Sequence, residues 1–237
     1  MALPGLVESF TAAGGKFVTP VEELTQKLDD CRAVVFDWDG VFNTGRKGSA
    51  SSSGFSEADS MGTNMLRYGL WRRLKQLPYT AIISGENNES AIAFAKREHL
   101  TAVYTGIRKK QQVIAHICSE HALQPEQIAC VFDDINDLPM AEICGFRCRV
   151  RREASPLFSE FVDRREFCDY VTGANSDSNA VREACELILG LMNLYVDVVE
   201  SRVASDADYE RYFKARQAAK TDRYGQQDDV IARVGPL

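Results

Sequence analysis

Short runs of apolar, β-branched and aromatic residues recur along the chain, each too short for a helix: "AVVFD" at 33–37, "TAIIS" at 80–84, "TAVYT" at 101–105 and "IACVF" at 128–132. "FRCRV" and "DYVT" repeat the pattern more weakly. Because these runs are apolar at successive rather than alternate positions, they predict strands covered on both faces, as in a buried parallel sheet. Between them the apolar spacing changes to three and four. Leu66, Leu70, Leu74 and Leu77 line up in "MLRYGLWRRLKQL", and "NESAIAFAKREHL" and "KQQVIAHICSEHAL" carry similar stripes. Val181, Ala184, Ile188, Leu191 and Tyr195 predict one long later helix. Strand and helix alternate through connections too long for hairpins, which predicts an α/β fold, a doubly wound parallel sheet wrapped by helices on both faces.

Two regions break the rhythm. From Asn43 to Ser60, "NTGRKGSASSSGFSEADS" is rich in glycine and serine and predicts a loop or a β-hairpin inserted after the "AVVFD" strand. From about Asp197 the chain turns polar and loses periodicity, which predicts an appended helix and a tail. At the other end, "PVEELTQKL" reads as a helix with Thr19 as cap and Pro20 in its first turn. The expected organisation is an N-terminal extension over 1–31, a main domain over 32–192, and a C-terminal helix and tail over 193–237.

Composition narrows the function classes. The 237 residues, 45% hydrophobic, are enough for a real core in one domain. No apolar run is long enough to span a bilayer, and "MALPGLVESF" lacks the basic start and long apolar segment of a signal peptide, so a cytoplasmic protein with no membrane partner is expected. The seven cysteines lie mostly inside apolar runs and predict buried thiols in a reducing compartment. A net charge of −6 speaks against nucleic acid as a partner. The one basic cluster, "RCRVRR" at Arg147–Arg152, reads equally as a solvated rim or as part of an anion site.

The candidate chemistry sits where strands end. In "FDWDG", Asp37 and Asp39 are two residues apart, so both project to one side if the chain stays extended, and Gly40 lets the backbone turn away. Like charges so placed repel unless a cation lies between them or one is protonated. "TAIIS" ends in Ser84 and Gly85, a hydroxyl followed by a backbone N–H. "YTGIRKKQQ" puts Lys109 and Lys110 at a helix start, where a cation is disfavoured unless something anionic is near. "IACVFDDINDLPM" ends a strand in Asp133 and Asp134, with Asp137 one helical turn on. At the carboxyl edge of one sheet these groups form a kit for phosphate: oxygen ligands for Mg²⁺, a lysine and a hydroxyl for phosphoryl oxygens, and a carboxylate able to attack phosphorus.

In that order, "FDWDGVFNTG", "IISG", "GIRKK" and "FDDINDLP" resemble the four motifs of the haloacid dehalogenase superfamily of Mg²⁺-dependent phosphatases. The likeness runs from about Arg32 to Met192. Within the superfamily the chain looks most like the cap-less branch that contains 3-deoxy-D-manno-octulosonate 8-phosphate phosphatase and nonulosonate 9-phosphate phosphatases. The resemblance implies an aspartyl-phosphate on Asp37 and acid–base work by Asp39. It implies Mg²⁺ held by Asp37, the Asp39 backbone carbonyl and Asp133, and phosphoryl contacts from Ser84, Gly85 and Lys110. Asp134 and Asp137 would support the metal from behind, with Asp134 also within reach of it, and Lys109 would be a solvated neighbour. It also implies a small-molecule phosphomonoester substrate and a homotetramer in which the inserted hairpin closes a neighbour's site.

The chain departs from the branch at Phe132, where the family usually has glycine; at "VFNTG", where relatives tend to have "VLTDG"; and at Ala58–Asp59–Ser60, where relatives carry an Arg-Asp-Gly run. The last departure removes a contact to a substrate carboxylate, which Arg46, Lys47 or an arginine of "RVRR" would have to replace. Two other readings remain open at this stage: a catalytically weak relative serving as a regulatory or structural subunit, and a phospho-aspartate receiver domain, against which the motif order argues.

Overall fold

The computed structural model describes residues 5–46, 54–228 and 230–237. Nine strands form one sheet: β1 (Lys16–Phe17), β2 (Ala33–Asp37), β3 (Tyr79–Ile83), β4 (Ala102–Thr105), β5 (Ile128–Phe132), β6 (Phe146–Arg149), β7 (Tyr170–Val171), β8 (Asp222–Gln227) and β9 (Val230–Pro236). Their order is β1-β7-β6-β5-β2-β3-β4-β8-β9. Every pairing from β7 across to β8 is parallel, and only the two outermost, β1 with β7 and β8 with β9, are antiparallel.

Every residue of β2, β3, β4 and β5 is buried, as their unbroken apolar runs require. Alternate residues serve opposite faces. Val34 and Phe36 join one core cluster with α2 (Val21–Asp29), α3 (Glu57–Leu74), α4 (Glu89–Arg97) and α8 (Ala180–Leu191). Ala33 and Val35 join the other, with α5 (Gln111–His121), α6 (Leu138–Ala141) and α7 (Pro156–Arg164). This is the expected doubly wound arrangement. From β2 the chain runs outward through β3 and β4, then returns to place β5, β6 and β7 on the other flank. The crevice at the carboxyl ends of β2 and β5 is therefore the switch point where such sheets bind ligands.

The structure differs from the sequence-based expectation in four places. First, α3 starts at Glu57, so the inserted loop is shorter than 43–60. The first turn, "EADS" at 57–60, is polar and small and shows no apolar stripe; further along, a Cβ on Gly62 or Gly69 would come within 3.0 Å of α8, so glycine allows the two helices to approach. No paired strands of a hairpin occur among the described residues of that loop; its segment 47–53, with Lys47, lies outside them. Second, the single long helix from Val181 to Tyr195 is two, because Asn193 takes a left-handed conformation (φ 54°) between α8 and α9 (Tyr195–Ala204). Third, the C-terminal region carries α9, α10 (Ala207–Ala218) and then β8 and β9, which extend the sheet beside β4, instead of one helix and a tail. Fourth, Thr19 does not cap α2; its hydroxyl donates to Asp169 Oδ1 at 2.9 Å, and Pro20 is the cap residue. A further short helix, α1 (Leu6–Ala12), precedes β1 and packs Leu6 into the core.

All seven cysteines are free, and all but Cys118 are buried. Burial pushes the Cys31 thiol up to about 11, which keeps it protonated and unreactive. Among the described residues no helix is long and apolar enough to cross a membrane.

Candidate active site

Between the paired acids of the first motif, Trp38 is fully buried and stacks on Phe42 at 5.0 Å between ring centroids. Trp38 belongs to the core cluster that takes Val34 and Phe36, so Asp37 and Asp39 project the other way, into a cleft of about 490 Å³. The chain then turns at Gly40, whose φ of +92° suits glycine. A Cβ there would also lie 2.1 Å from Asp133 Oδ2 and 2.7 Å from Arg152 Nη2. This glycine lets the β2 loop press against the end of β5.

The cleft collects most of the residues singled out from the sequence. Asp37, Asp39, Gly85, Lys110, Asp133, Asp134 and Asp137 line it, and Ser84 is buried at the adjoining end of β3. Asp37, Asp133 and Asp137 are each nearly inaccessible, and one carboxylate oxygen from each lies within 4.8 Å of the others. Lys110 Nζ, itself buried, donates to Oδ1 of both Asp37 and Asp137. Lys109, next to it, is exposed.

The two oxygens of Asp137 are both engaged, Oδ1 by Lys110 and Oδ2 by the backbone N–H groups of Asp133 and Asp134 at 3.4 and 3.2 Å. Asp133 is different. Arg152 Nε lies 2.7 Å from its Oδ2 as an ion-pair contact without hydrogen-bond geometry, so this oxygen is buried with no hydrogen-bond donor. Asp134 faces the rim, where Oδ1 accepts from the Ile135 N–H at 2.8 Å and Oδ2 meets Arg152 Nη1 at 3.1 Å. Asp39 is half-buried at the cleft wall, with Oδ1 accepting from Asn88 Nδ2 at 3.4 Å.

Electrostatics follow this packing. Burial, added to the charge of Asp137, pushes Asp37 up to about 7 against the opposing pull of Lys110. Burial and the charges of Asp37 and Asp137 push Asp133 up to about 8 against Arg152. For Lys110, burial alone would favour loss of the proton, but Asp37 and Asp137 outweigh it and hold the ammonium charged. Three buried acids against one buried lysine leave the pocket short of positive charge. The Asp133 oxygen without a donor lies where a cation would supply it. An all-oxygen donor set with no sulfur or imidazole suits a hard ion such as Mg²⁺, so the residues fit that metal.

The basic cluster "RCRVRR" goes four ways. Arg147 pairs with the buried Asp169 at 2.9 Å, Arg149 packs over the Phe158 ring and donates to Ser159, Arg151 is exposed near Glu153, and only Arg152 enters the cleft. Arg46 is exposed. Of the Ala58–Asp59–Ser60 run, Asp59 is buried and accepts from the Arg182 N–H at 2.9 Å near the start of α8, so it serves packing outside the cleft. Phe132 ends β5 fully buried in the core beneath the cleft. Sequence reasoning missed Arg108, which lines the cleft, and Gln226 of β8, whose side chain accepts from the Arg108 N–H at 2.8 Å and donates to Gln112 at 2.7 Å. Gln226 lies in a region without periodicity, so no local signal pointed to it.

No family model matches the chain. Among curated proteins, it is 28% identical to 3-deoxy-D-manno-octulosonate 8-phosphate phosphatase KdsC of Escherichia coli, over 70% of this chain and 84% of that protein. Among solved structures, it is similar to a probable YrbI-family phosphatase from Pseudomonas syringae, with a TM-score of 0.64 and 28% identity over 77% of this chain and 98% of that one. The fold is also that of a Moraxella catarrhalis 3-deoxy-D-manno-octulosonate 8-phosphate phosphatase, solved with magnesium, phosphate and KDO. There the TM-score is 0.64 and the identity 24%, over 76% of this chain and 98% of that one.

Proposed function

We propose that this chain, which belongs to the haloacid dehalogenase superfamily and is a phosphoric monoester hydrolase, releases phosphate from an acidic sugar phosphate. 3-Deoxy-D-manno-octulosonate 8-phosphate and a nonulosonate 9-phosphate are the model substrates, the first named from the KdsC relatives. The observation that carries this reading is the buried Asp37–Lys110–Asp137 contact beside the donorless oxygen of Asp133, at the switch point of the sheet.

In this reading Asp37, the Asp39 backbone carbonyl and Asp133 hold Mg²⁺. Asp137, with both oxygens already engaged, fixes Lys110 and the β5 loop from behind. When bound, the metal supplies positive charge to the phosphoryl oxygens and relieves the repulsion among the three acids. Ser84, the backbone N–H of Gly85 and Lys110 hold the phosphoryl oxygens on the β3–β4 flank. An Asp37 oxygen attacks phosphorus as the bond to the leaving oxygen breaks, and Asp39 gives its proton to that oxygen. Asp39 then takes a proton from water, which attacks the aspartyl-phosphate and returns Asp37 and inorganic phosphate. Positioning and charge compensation carry most of the rate in such a transfer.

The test is phosphate release over a panel of phosphomonoesters with Mg²⁺ and with a chelator in its place. The expected outcome is turnover that requires the metal and favours acidic sugar phosphates. Absence of turnover on the whole panel by folded protein would return the reading to a regulatory or structural subunit.

A further inference from the structure

Arg152 stands apart from the phosphoryl-binding groups. Ser84, Gly85 and Lys110 come from the ends of β3 and β4, on one side of β2. Arg152 comes from the segment after β6, two strands away on the other side. Its guanidinium leans over the β2 loop, with Nη2 2.7 Å from the position of a Cβ on Gly40 and 3.7 Å from that on Gly45. The side chain is one-third exposed and lines the cleft.

Its partners leave it available. The approach to Asp133 is an ion-pair contact without hydrogen-bond geometry, and a metal held by Asp133 would compete for the same carboxylate charge. The contact with Asp134 at 3.1 Å lies on the rim and uses one nitrogen, Nη1. A guanidinium has five donors in a planar fork matched to a carboxylate. Nη1 is tethered to Asp134 and Nε faces Asp133 at 2.7 Å; with a metal drawing off the Asp133 charge, Nε and Nη2 would be released to form a two-pronged contact.

We infer that Arg152 is a specificity-determining residue that binds a carboxylate on the substrate, at the far side of the cleft from the phosphoryl group. The inference rests on the phosphatase reading and deepens it, assigning the acidic part of the substrate to a named cation. Arg108 also lines the cleft but is exposed and rises from the β4 flank, beside the phosphoryl-binding groups. Arg46 is exposed outside the cleft lining.

Two substrate pairs differing in a carboxylate against a hydroxymethyl group test it: 6-phosphogluconate against sorbitol 6-phosphate, and 3-phosphoglycerate against glycerol 3-phosphate. At saturating Mg²⁺, the kcat/KM ratio of acid over alcohol is expected to exceed about tenfold for at least one pair in the unmodified enzyme, as a charge-assisted two-pronged contact provides. The ratio should fall toward one in Arg152→Ala and be intermediate in Arg152→Lys. The same ratio is read as binding by calorimetry in Asp37→Asn and in Asp37→Asn combined with Arg152→Ala. A ratio near one for both pairs in the unmodified enzyme, or a ratio unchanged by Arg152→Ala, would overturn the inference. If the unmodified enzyme turns over none of these four probes, the calorimetric ratios alone decide the role of Arg152, while the phosphatase reading stands or falls on the full phosphomonoester panel.

Discussion

Two of the buried carboxylate centres, one at Asp169 and one at Asp37 and Asp133, differ in a way that separates structural burial from functional burial. Asp169, fully buried at the entrance to β7, has every lone pair answered. Oδ1 accepts from Thr19 at 2.9 Å, Lys27 at 2.7 Å and Arg147 Nη2 at 2.9 Å, and Oδ2 accepts from the Arg147 N–H at 2.8 Å and Nε at 3.1 Å. Burial alone would raise its pKa, but Arg147 and Lys27 outweigh it and hold the carboxyl below its ordinary range. Asp37 and Asp133 are as deeply placed, yet both are pushed upward and Asp133 Oδ2 has no donor. Depth is shared by the two centres. Satisfaction is not, and an unsatisfied buried acid is what a site awaiting a cation and a phosphoryl group requires.

The largest expected effects come from breaking each centre in turn. Asp37→Asn should lower turnover by at least about 10³-fold, because an amide cannot replace the carboxylate proposed as nucleophile, while its melting temperature does not fall. Asp169→Asn should do the reverse. Arg147 would be left without a countercharge and Lys27 with Glu23 at 3.7 Å, costing about 3 kcal/mol of stability, or roughly 10 °C in melting temperature, with activity per folded molecule retained. Thermal melts and steady-state rates on the two variants check both arms. A similar fall in melting temperature for both would erase the distinction.

The next effect is in pH. In the absence of metal, Asp37 and Asp133 bind more protons folded than unfolded between their ordinary 3.8 and about 7 and about 8. Stability should therefore fall as pH rises through that window and level off above it. Asp169 has the opposite sign: its contribution is present above the unfolded value of 3.8 and is lost as pH falls through its lowered folded value. Since a bound cation removes the cost at Asp37 and Asp133, adding Mg²⁺ should raise the melting temperature more near pH 8 than near pH 5. Equal gains at both pH values would contradict this assignment of the unsatisfied charge.

The smallest effect concerns the edge that supports the lysine loop. Gln226→Ala removes the acceptor for the Arg108 N–H, two residues before Lys110, and should lower kcat about fivefold, the worth of roughly 1 kcal/mol of hydrogen bonding, with KM nearly unchanged. Rescue by Gln226→Glu, which keeps the accepting oxygen, distinguishes positioning from general loss of fold.

Legibility in the sequence follows the same physics. The buried parallel strands can be read because cover on both faces demands unbroken apolar runs, and the acids after Phe36 and Phe132 stand out because they interrupt those runs. β8 and β9 could not be read in this way. Next to the edge strand β9, β8 is half-exposed along most of its length and carries Asp222, Arg223, Gln226 and Gln227, so its strand character comes from pairing with β4 and β9 rather than from local pattern. The start of α3 is hidden because Glu57–Ser60 is polar and small and shows no apolar stripe, its buried position at Asp59 being filled by a carboxylate that accepts from the Arg182 N–H. Thr19 reads as a cap from local context, whereas its hydroxyl is drawn to a buried carboxylate 150 residues away. Arg152 is visible only as one of four clustered arginines, because its separation from the others is set by which side of β6 each projects and by the turn that follows.

Asp37 is the residue proposed to carry the phosphoryl group. Acid-quenched enzyme, sampled during turnover with Mg²⁺ and analysed by peptide mass spectrometry, should show the mass of one phosphoryl group on the peptide containing Asp37, and none in Asp37→Asn. Steady turnover in Asp37→Asn, or a phosphoryl group on a different residue of the unmodified enzyme, would contradict the account.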